Sequence, residues 1–142
     1  MSSDKLTKFL NPFDDIHTGG QPDADDIAEA ATFGIKTVFN IRTPGESGQE
    51  GIERCVKECG MIYRCFPIAG KEGITFENAK EFCAIAHSSE KPLLIHCGSG
   101  NRIGALYALD ANANGKTKEE SLAIGIASGL TGLRDHVLSL LK

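Results

Sequence analysis

The chain predicts an α/β fold of three layers, with a central, mainly parallel sheet of about four or five strands flanked by helices. Two observations predict it. Short apolar or β-branched runs alternate along the chain with longer segments whose apolar residues recur at helical spacing. Strands separated in this way pair in parallel through helical crossovers, which places helices on both faces and gathers functional groups at the carboxyl ends of the strands. At 142 residues the chain reads as one domain, 1–142, long enough to bury a core without staples.

Taken in order, Phe13 to Thr18 predicts a first strand, and Gly19-Gly20-Gln21-Pro22 a turn. Asp23 reads as the N-cap of a helix from Ala24 to Phe33, with Asp25 and Asp26 suited to the positive helix end and Gly34 as its stop. Thr37 to Ile41 is a short β-branched strand, and Thr43-Pro44-Gly45-Glu46-Ser47-Gly48 is a loop by its Pro and Gly content. Glu50 to Cys59 predicts a helix closed by Gly60, and Met61 to Phe66 a further strand. After a loop through Gly73, Thr75 caps a helix to His87, whose apolar face holds Phe76, Ala79, Phe82, Cys83 and Ala86. Pro92 to His96 is the next strand, followed by a small-residue loop and a helix from Ile103 to Asn112. Thr117 and Glu120 form a capping box for a helix to about Ser128, and a last helix spans Leu133 to Leu141. Gly125 to Gly132 reads as the seam between these two.

Composition bounds the function. Apolar content of 41% and charged content of 24% are ordinary for a globular protein. A net charge of -4 argues against non-specific binding to nucleic acid or to an anionic membrane surface. An anionic ligand must therefore be held by local geometry. The five cysteines are an odd set without scaffold spacing, and Met1-Ser2-Ser3-Asp4-Lys5 is not followed by a leader's apolar core, so a reducing cytoplasm is expected. Cys55 and Cys59 stand four apart but lack partners at zinc-like spacing, so no metal site is read there. No apolar segment approaches the roughly 18 residues of a membrane span.

The segment with most chemistry is His96-Cys97-Gly98-Ser99-Gly100-Asn101-Arg102-Ile103-Gly104, directly after the apolar run Pro92-Leu93-Leu94-Ile95. A strand ends in a cysteine, passes through a loop of small residues and reaches an arginine where a helix can begin. Glycines let the backbone curl so that successive N–H groups point inward, and the helix behind adds its positive end. That field favours thiolate over thiol at Cys97, making it a nucleophile. Arg102 brings a planar fork of donors suited to a tetrahedral oxyanion. A free Cys at a strand end is elsewhere a small buried hydrophobe. Here the strand before, the glycines inside and the helix after point instead to a cysteine-dependent enzyme acting on phosphate or a related anion.

With these residues in place, the chain resembles the protein tyrosine phosphatase superfamily, dual-specificity type, and is most similar to the bacterial beta-lactamase-hydrolase-like phosphatase-like domain. The resemblance starts at Thr18-Gly19-Gly20-Gln21-Pro22 and continues through Gly34 to Arg42, similar to the family's strand ending in Asn-Leu-Arg. It ends at His96 to Arg102 and the helix behind. The spacing of four residues between Cys97 and Arg102 is one shorter than in ordinary tyrosine phosphatases and matches the bacterial subgroup. Ile103 stands where those enzymes usually carry Ser or Thr.

The resemblance implies a phosphatase fold and a two-step phosphatase needing no metal or other cofactor. Its substrate would be a small anionic molecule or a phosphoprotein. Cys97 would attack phosphorus, and backbone N–H groups of Gly98, Ser99, Gly100, Asn101, Arg102 and Ile103 would hold the phosphate with the Arg102 guanidinium. Ser99 and Asn101 shape the loop. His96 points away from the ligand and hydrogen-bonds within the core, orienting the loop, with a catalytic base as the lesser alternative. Arg42, at the same strand-end edge as Cys97, is either a support for loop or substrate or an exposed surface arginine, and Glu46 reads as its solvated neighbour. The superfamily takes its general acid, an Asp, from the loop after the third strand; here that stretch, Phe66 to Gly73, has Glu72 as its one carboxylate, with Lys71 beside it to attract an anion. Two alternatives stand beside this reading. A rhodanese-type sulfurtransferase would carry a persulfide on Cys97, although no Gly-His-Ile segment follows Asn40-Ile41-Arg42. A non-catalytic phosphate-binding module would keep the cradle without the acid.

Overall fold

A computed structural model describes Leu6 and residues 8–142; the amino-terminal segment Met1–Lys5 lies outside the described residues. The strands are β1 (Leu10–Phe13), β2 (Ile16–Gly19), β3 (Thr37–Asn40), β4 (Ile62–Cys65) and β5 (Leu93–His96). The helices are α1 (Ala24–Phe33), α2 (Ile52–Glu58), α3 (Phe76–Ser88), α4 (Asn101–Ala113), α5 (Lys118–Ala127) and α6 (Arg134–Leu140), with a 3₁₀ turn at Lys71–Gly73.

The sheet has the order β1-β2-β5-β3-β4. β2, β5, β3 and β4 run parallel in a regular register that sets Thr18 beside Ile95, Phe39 beside Ile95 and Asn40 beside Cys65. β1 alone is antiparallel. The expected single strand Phe13–Thr18 is therefore corrected to a hairpin. Asp14 and Asp15 favour a turn over a pleated strand, and the Asn11 amide closes that turn by donating to the carbonyls of Phe13 (2.6 Å) and Ile16 (2.9 Å).

Side chains alternate across the sheet and divide the core in two. Phe39, Leu93 and Ile95 face α3 and α4, joining Phe82, Ile103 and Leu106; Val38 and Leu94 face the other way, toward Ile27 and Ala30 of α1 and Val56 of α2. Both faces are covered, which is why the central strands read as continuous apolar runs.

Helix starts follow their caps. Asp23 accepts from the N–H of Asp26 (2.8 Å) while Asp26 accepts from that of Asp23 (3.0 Å), and Thr117 and Glu120 make the same reciprocal pair. α4 begins at Asn101, two residues before the expected Ile103, because Gly100 takes a left-handed conformation (φ 92°) and turns the loop directly into the helix. Behind the loop, α4 and α5 cross at Gly104 and Gly125. A β-carbon on Gly104 would collide with the backbone of Leu130 and the Gly125 carbonyl, so only glycine permits this approach.

Candidate active site

β5 carries Cys97 to the carboxyl edge of the sheet, and both neighbouring strands hold it there. The Cys97 N–H donates to the Gly19 carbonyl (3.1 Å), and the Ile41 N–H donates to the His96 carbonyl (3.1 Å). The entry turn backs the loop, with the Gln21 N–H donating to the Gly98 carbonyl (3.4 Å) and Gly20 bridged to Ser99. A β-carbon on Gly20 would stand 2.8 Å from the Gly98 oxygen, so the two backbones can only meet this closely at glycine.

Within the loop, the Gly100 N–H donates to Cys97 Sγ at 3.0 Å. Cys97 is fully buried beneath the loop, at the foot of α4, whose leading N–H groups have no carbonyl one turn back. Arg102 leans over the loop, its guanidinium 3.3 Å from where a side chain on Gly98 would begin. Ser99 and Gly98 are exposed at the rim. The Asn101 side chain turns away from the loop: its Oδ1 accepts from the N–H groups of Thr131 (2.8 Å) and Leu133 (3.1 Å), tying the start of α4 to the segment before α6.

Glu46 occupies the centre of the site. It was expected as a solvated neighbour of Arg42, and the structure corrects this. Its carboxylate accepts from both terminal nitrogens of Arg102 (2.7 and 2.9 Å), from Arg42 Nε (2.8 Å), and from the Thr43 N–H and hydroxyl (2.7 Å each). The turn at Pro44-Gly45 folds the carboxylate back onto Thr43, which sequence spacing alone does not show. The Arg102 pair, then the Thr43 and Arg42 bonds, hold the Glu46 carboxyl far below the usual carboxylate range, against the opposing effect of burial. Arg102 also donates to the Ile68 carbonyl (2.9 Å).

Arg42 is buried and acts behind this pair, donating also to Gln21 Oε1 (2.6 Å) and the Ser47 carbonyl (2.8 Å). One arginine thus ties together the entry turn, the loop after β3 and the Glu46–Arg102 pair. His96 is wholly buried as expected, but the expected hydrogen bond in the core is not made: neither ring nitrogen has a partner. Burial, with the nearby Arg42 charge second, pushes its pKa down to about 4, so the ring is neutral.

Above the loop lies an open cavity of about 500 Å³. Its lining includes Thr43, Glu46, Lys71, Ser99, Asn101 and Arg102. Glu72 is exposed on the 3₁₀ turn and is not among the lining residues. The turn presents Lys71 to the cavity in its place. Among the described residues no group of three His, Cys, Asp or Glu side chains could hold a metal ion, and no helix is long and apolar enough to cross a membrane.

Comparison with known proteins bears on the family and the fold. The family model described as "Beta-lactamase hydrolase-like protein, phosphatase-like domain" matches residues 8–114. A beta-lactamase hydrolase-like protein of Xylella fastidiosa (strain Temecula1) is 30% identical over 127 residues, covering 86% of this chain and 29% of the relative. The chain therefore spans under a third of that relative's length. A crystal structure of a candidate phosphatase from Neisseria meningitidis Z2491 superposes with a TM-score of 0.77 at 21% identity, covering 90% of this chain and 94% of that one. The active form of Tk-PTP gives 0.64 at 15% identity, with 96% and 97% covered. Both likenesses concern the fold, which is that of the tyrosine and dual-specificity phosphatases.

Proposed function

This chain belongs to the beta-lactamase hydrolase-like family, in its phosphatase-like domain, and from that premise we propose that it is a cysteine-dependent phosphatase working through a cysteinyl-phosphate. The observation that carries the proposal is the Gly100 N–H directed at Cys97 Sγ (3.0 Å) at the foot of α4. A backbone donor and a helix start aimed at a sulfur hold a place for an anion beside it.

In the first step the Cys97 sulfur attacks phosphorus in line, an S–P bond forms, and the bond to the leaving oxygen breaks. The loop N–H groups from Gly98 to Ile103 and the Arg102 guanidinium hold the equatorial oxygens as charge redistributes. Donors fixed in advance are usually the largest catalytic contribution, and loss of one costs about 10²–10³-fold. In the second step water attacks phosphorus, the S–P bond breaks, and phosphate leaves with the thiolate restored.

Glu46 holds Arg102 in position rather than reacting, and Arg42 and Gln21 brace Glu46. The Asn101 side chain, turned outward to Thr131, and Gly20 of the entry turn brace the loop. The test is paired turnover of the wild type and Cys97→Ser on an aryl phosphate, and on thiosulfate with cyanide. Phosphate release abolished by the substitution is expected. Thiocyanate formation without phosphate release would identify a sulfurtransferase instead.

A further inference from the structure

A phosphatase site of this kind usually protonates the leaving oxygen, and the carboxylic acid that does so must be in reach and carry a proton. Among the described residues that line the cavity above the loop, Glu46 carries the one carboxyl group; Cys97 lies buried beneath the loop and is not itself in the lining. It accepts hydrogen bonds from two arginines and from Thr43, and these hold it ionised. Glu72 stands exposed outside the lining. His96 lies beneath the loop, wholly buried and neutral. What the cavity does present opposite the loop is the positive charge of Lys71.

From this we propose that the site acts on phosphoryl groups carried by oxygens that are already acidic, such as a phosphoanhydride or an acyl phosphate, and not on alkyl esters such as phosphoserine. The inference rests on the phosphatase reading above and specifies its substrate class. The Cys97 sulfur forms its bond to phosphorus, the bridging P–O bond breaks, and its electron pair leaves on an oxygen stable as an anion. No proton is required in that step. When the leaving group is itself a phosphate or carboxylate, Lys71 meets its charge. In the hydrolytic step water supplies the new oxygen, and its proton passes to bulk solvent.

The experiment compares kcat/KM of the wild type and Cys97→Ser on p-nitrophenyl phosphate, phenyl phosphate, inorganic pyrophosphate and phosphoserine. The expected result is Cys97-dependent release from p-nitrophenyl phosphate and pyrophosphate. Phenyl phosphate should be slower by about 10²-fold or more, the size of effect an absent acid would leave, and phosphoserine should sit at background. Phenyl phosphate within about tenfold of p-nitrophenyl phosphate, or ready turnover of phosphoserine, means that an acid operates. That result overturns this inference and leaves the phosphatase reading standing. No Cys97-dependent release from any of the four overturns both.

Discussion

Glu46 holds more of the site together than any other side chain, since two arginines from different parts of the fold meet on one carboxylate. Glu46→Gln keeps the size and removes the charge, so the Arg102 fork loses its bidentate anchor. A misplaced group in an active site can cost about 10²-fold, and a fall of that order in kcat/KM is expected. The pair is largely buried, with side-chain exposures of 14% and 24%, and the same bonds hold the carboxyl ionised, so the melting temperature should fall as well. A large loss of stability with unchanged kcat/KM in the remaining folded protein would show that the pair serves the fold alone. Glu46 also shows where sequence reading stopped. Arg42 and Cys97 were legible because strand ends point to one edge. Glu46 lies in a Pro-Gly loop whose path is set by its own hydrogen bonds, and nothing in the spacing gave it a direction.

Among the helices, the α4–α5 crossing behind the loop is the tightest contact. Gly104→Ala would force a methyl group against the backbone of Leu130 and Gly125. Backbone cannot move aside as a side chain can, so destabilisation at the upper end of the ~1–3 kcal/mol typical of overpacking is expected, read as a lowered denaturation midpoint. Gly20→Ala meets the Gly98 carbonyl at 2.8 Å and should act differently. It displaces the phosphate loop, so kcat/KM should fall by about tenfold or more, in proportion to the loss of fixed donors. Equal turnover for Gly20→Ala and wild type would mean that the entry turn does not brace the loop. The glycines were visible in the sequence as turn signals, but the close approach of Gly104 was not, because it depends on which helices cross. The caps at Asp23, Thr75 and Thr117 were legible, being local chemistry, although the reciprocal bond from Asp26 was not. The hairpin at β1 is just as local, Phe13 pairing with Ile16 across Asp14-Asp15, and was missed because those two turn residues were taken into one strand.

The sheet as a unit sets a pH limit on the fold. His96 is buried and neutral, with a pKa near 4 against about 6.5 in an unfolded chain. Below 6.5 the unfolded state takes up a proton that the folded state refuses, so stability is full above 6.5 and falls as the pH drops toward 4. His17, buried on the same face of the sheet against Phe33 of α1, shifts in the same direction. The loss from His96 is on the order of 3 kcal/mol at the lower limit. Thermal melts between pH 7 and pH 4 should show this slope, and His96→Asn should remove part of it; a slope that survives unchanged assigns it to other groups. The three-layer architecture was legible because alternation of strands and helices follows from local pattern, and its parallel order β2-β5-β3-β4 places Cys97 at the carboxyl edge.

What unites these levels is a covalent step on one sulfur. Rapid denaturing quench of the wild type during turnover of p-nitrophenyl phosphate, followed by intact-mass and peptide analysis, reads that step directly. One phosphoryl group per chain, located on Cys97 and absent from Cys97→Ser, is the predicted result. Sustained phosphate release with no phosphoryl group on Cys97, or with the release unchanged in Cys97→Ser, would contradict it.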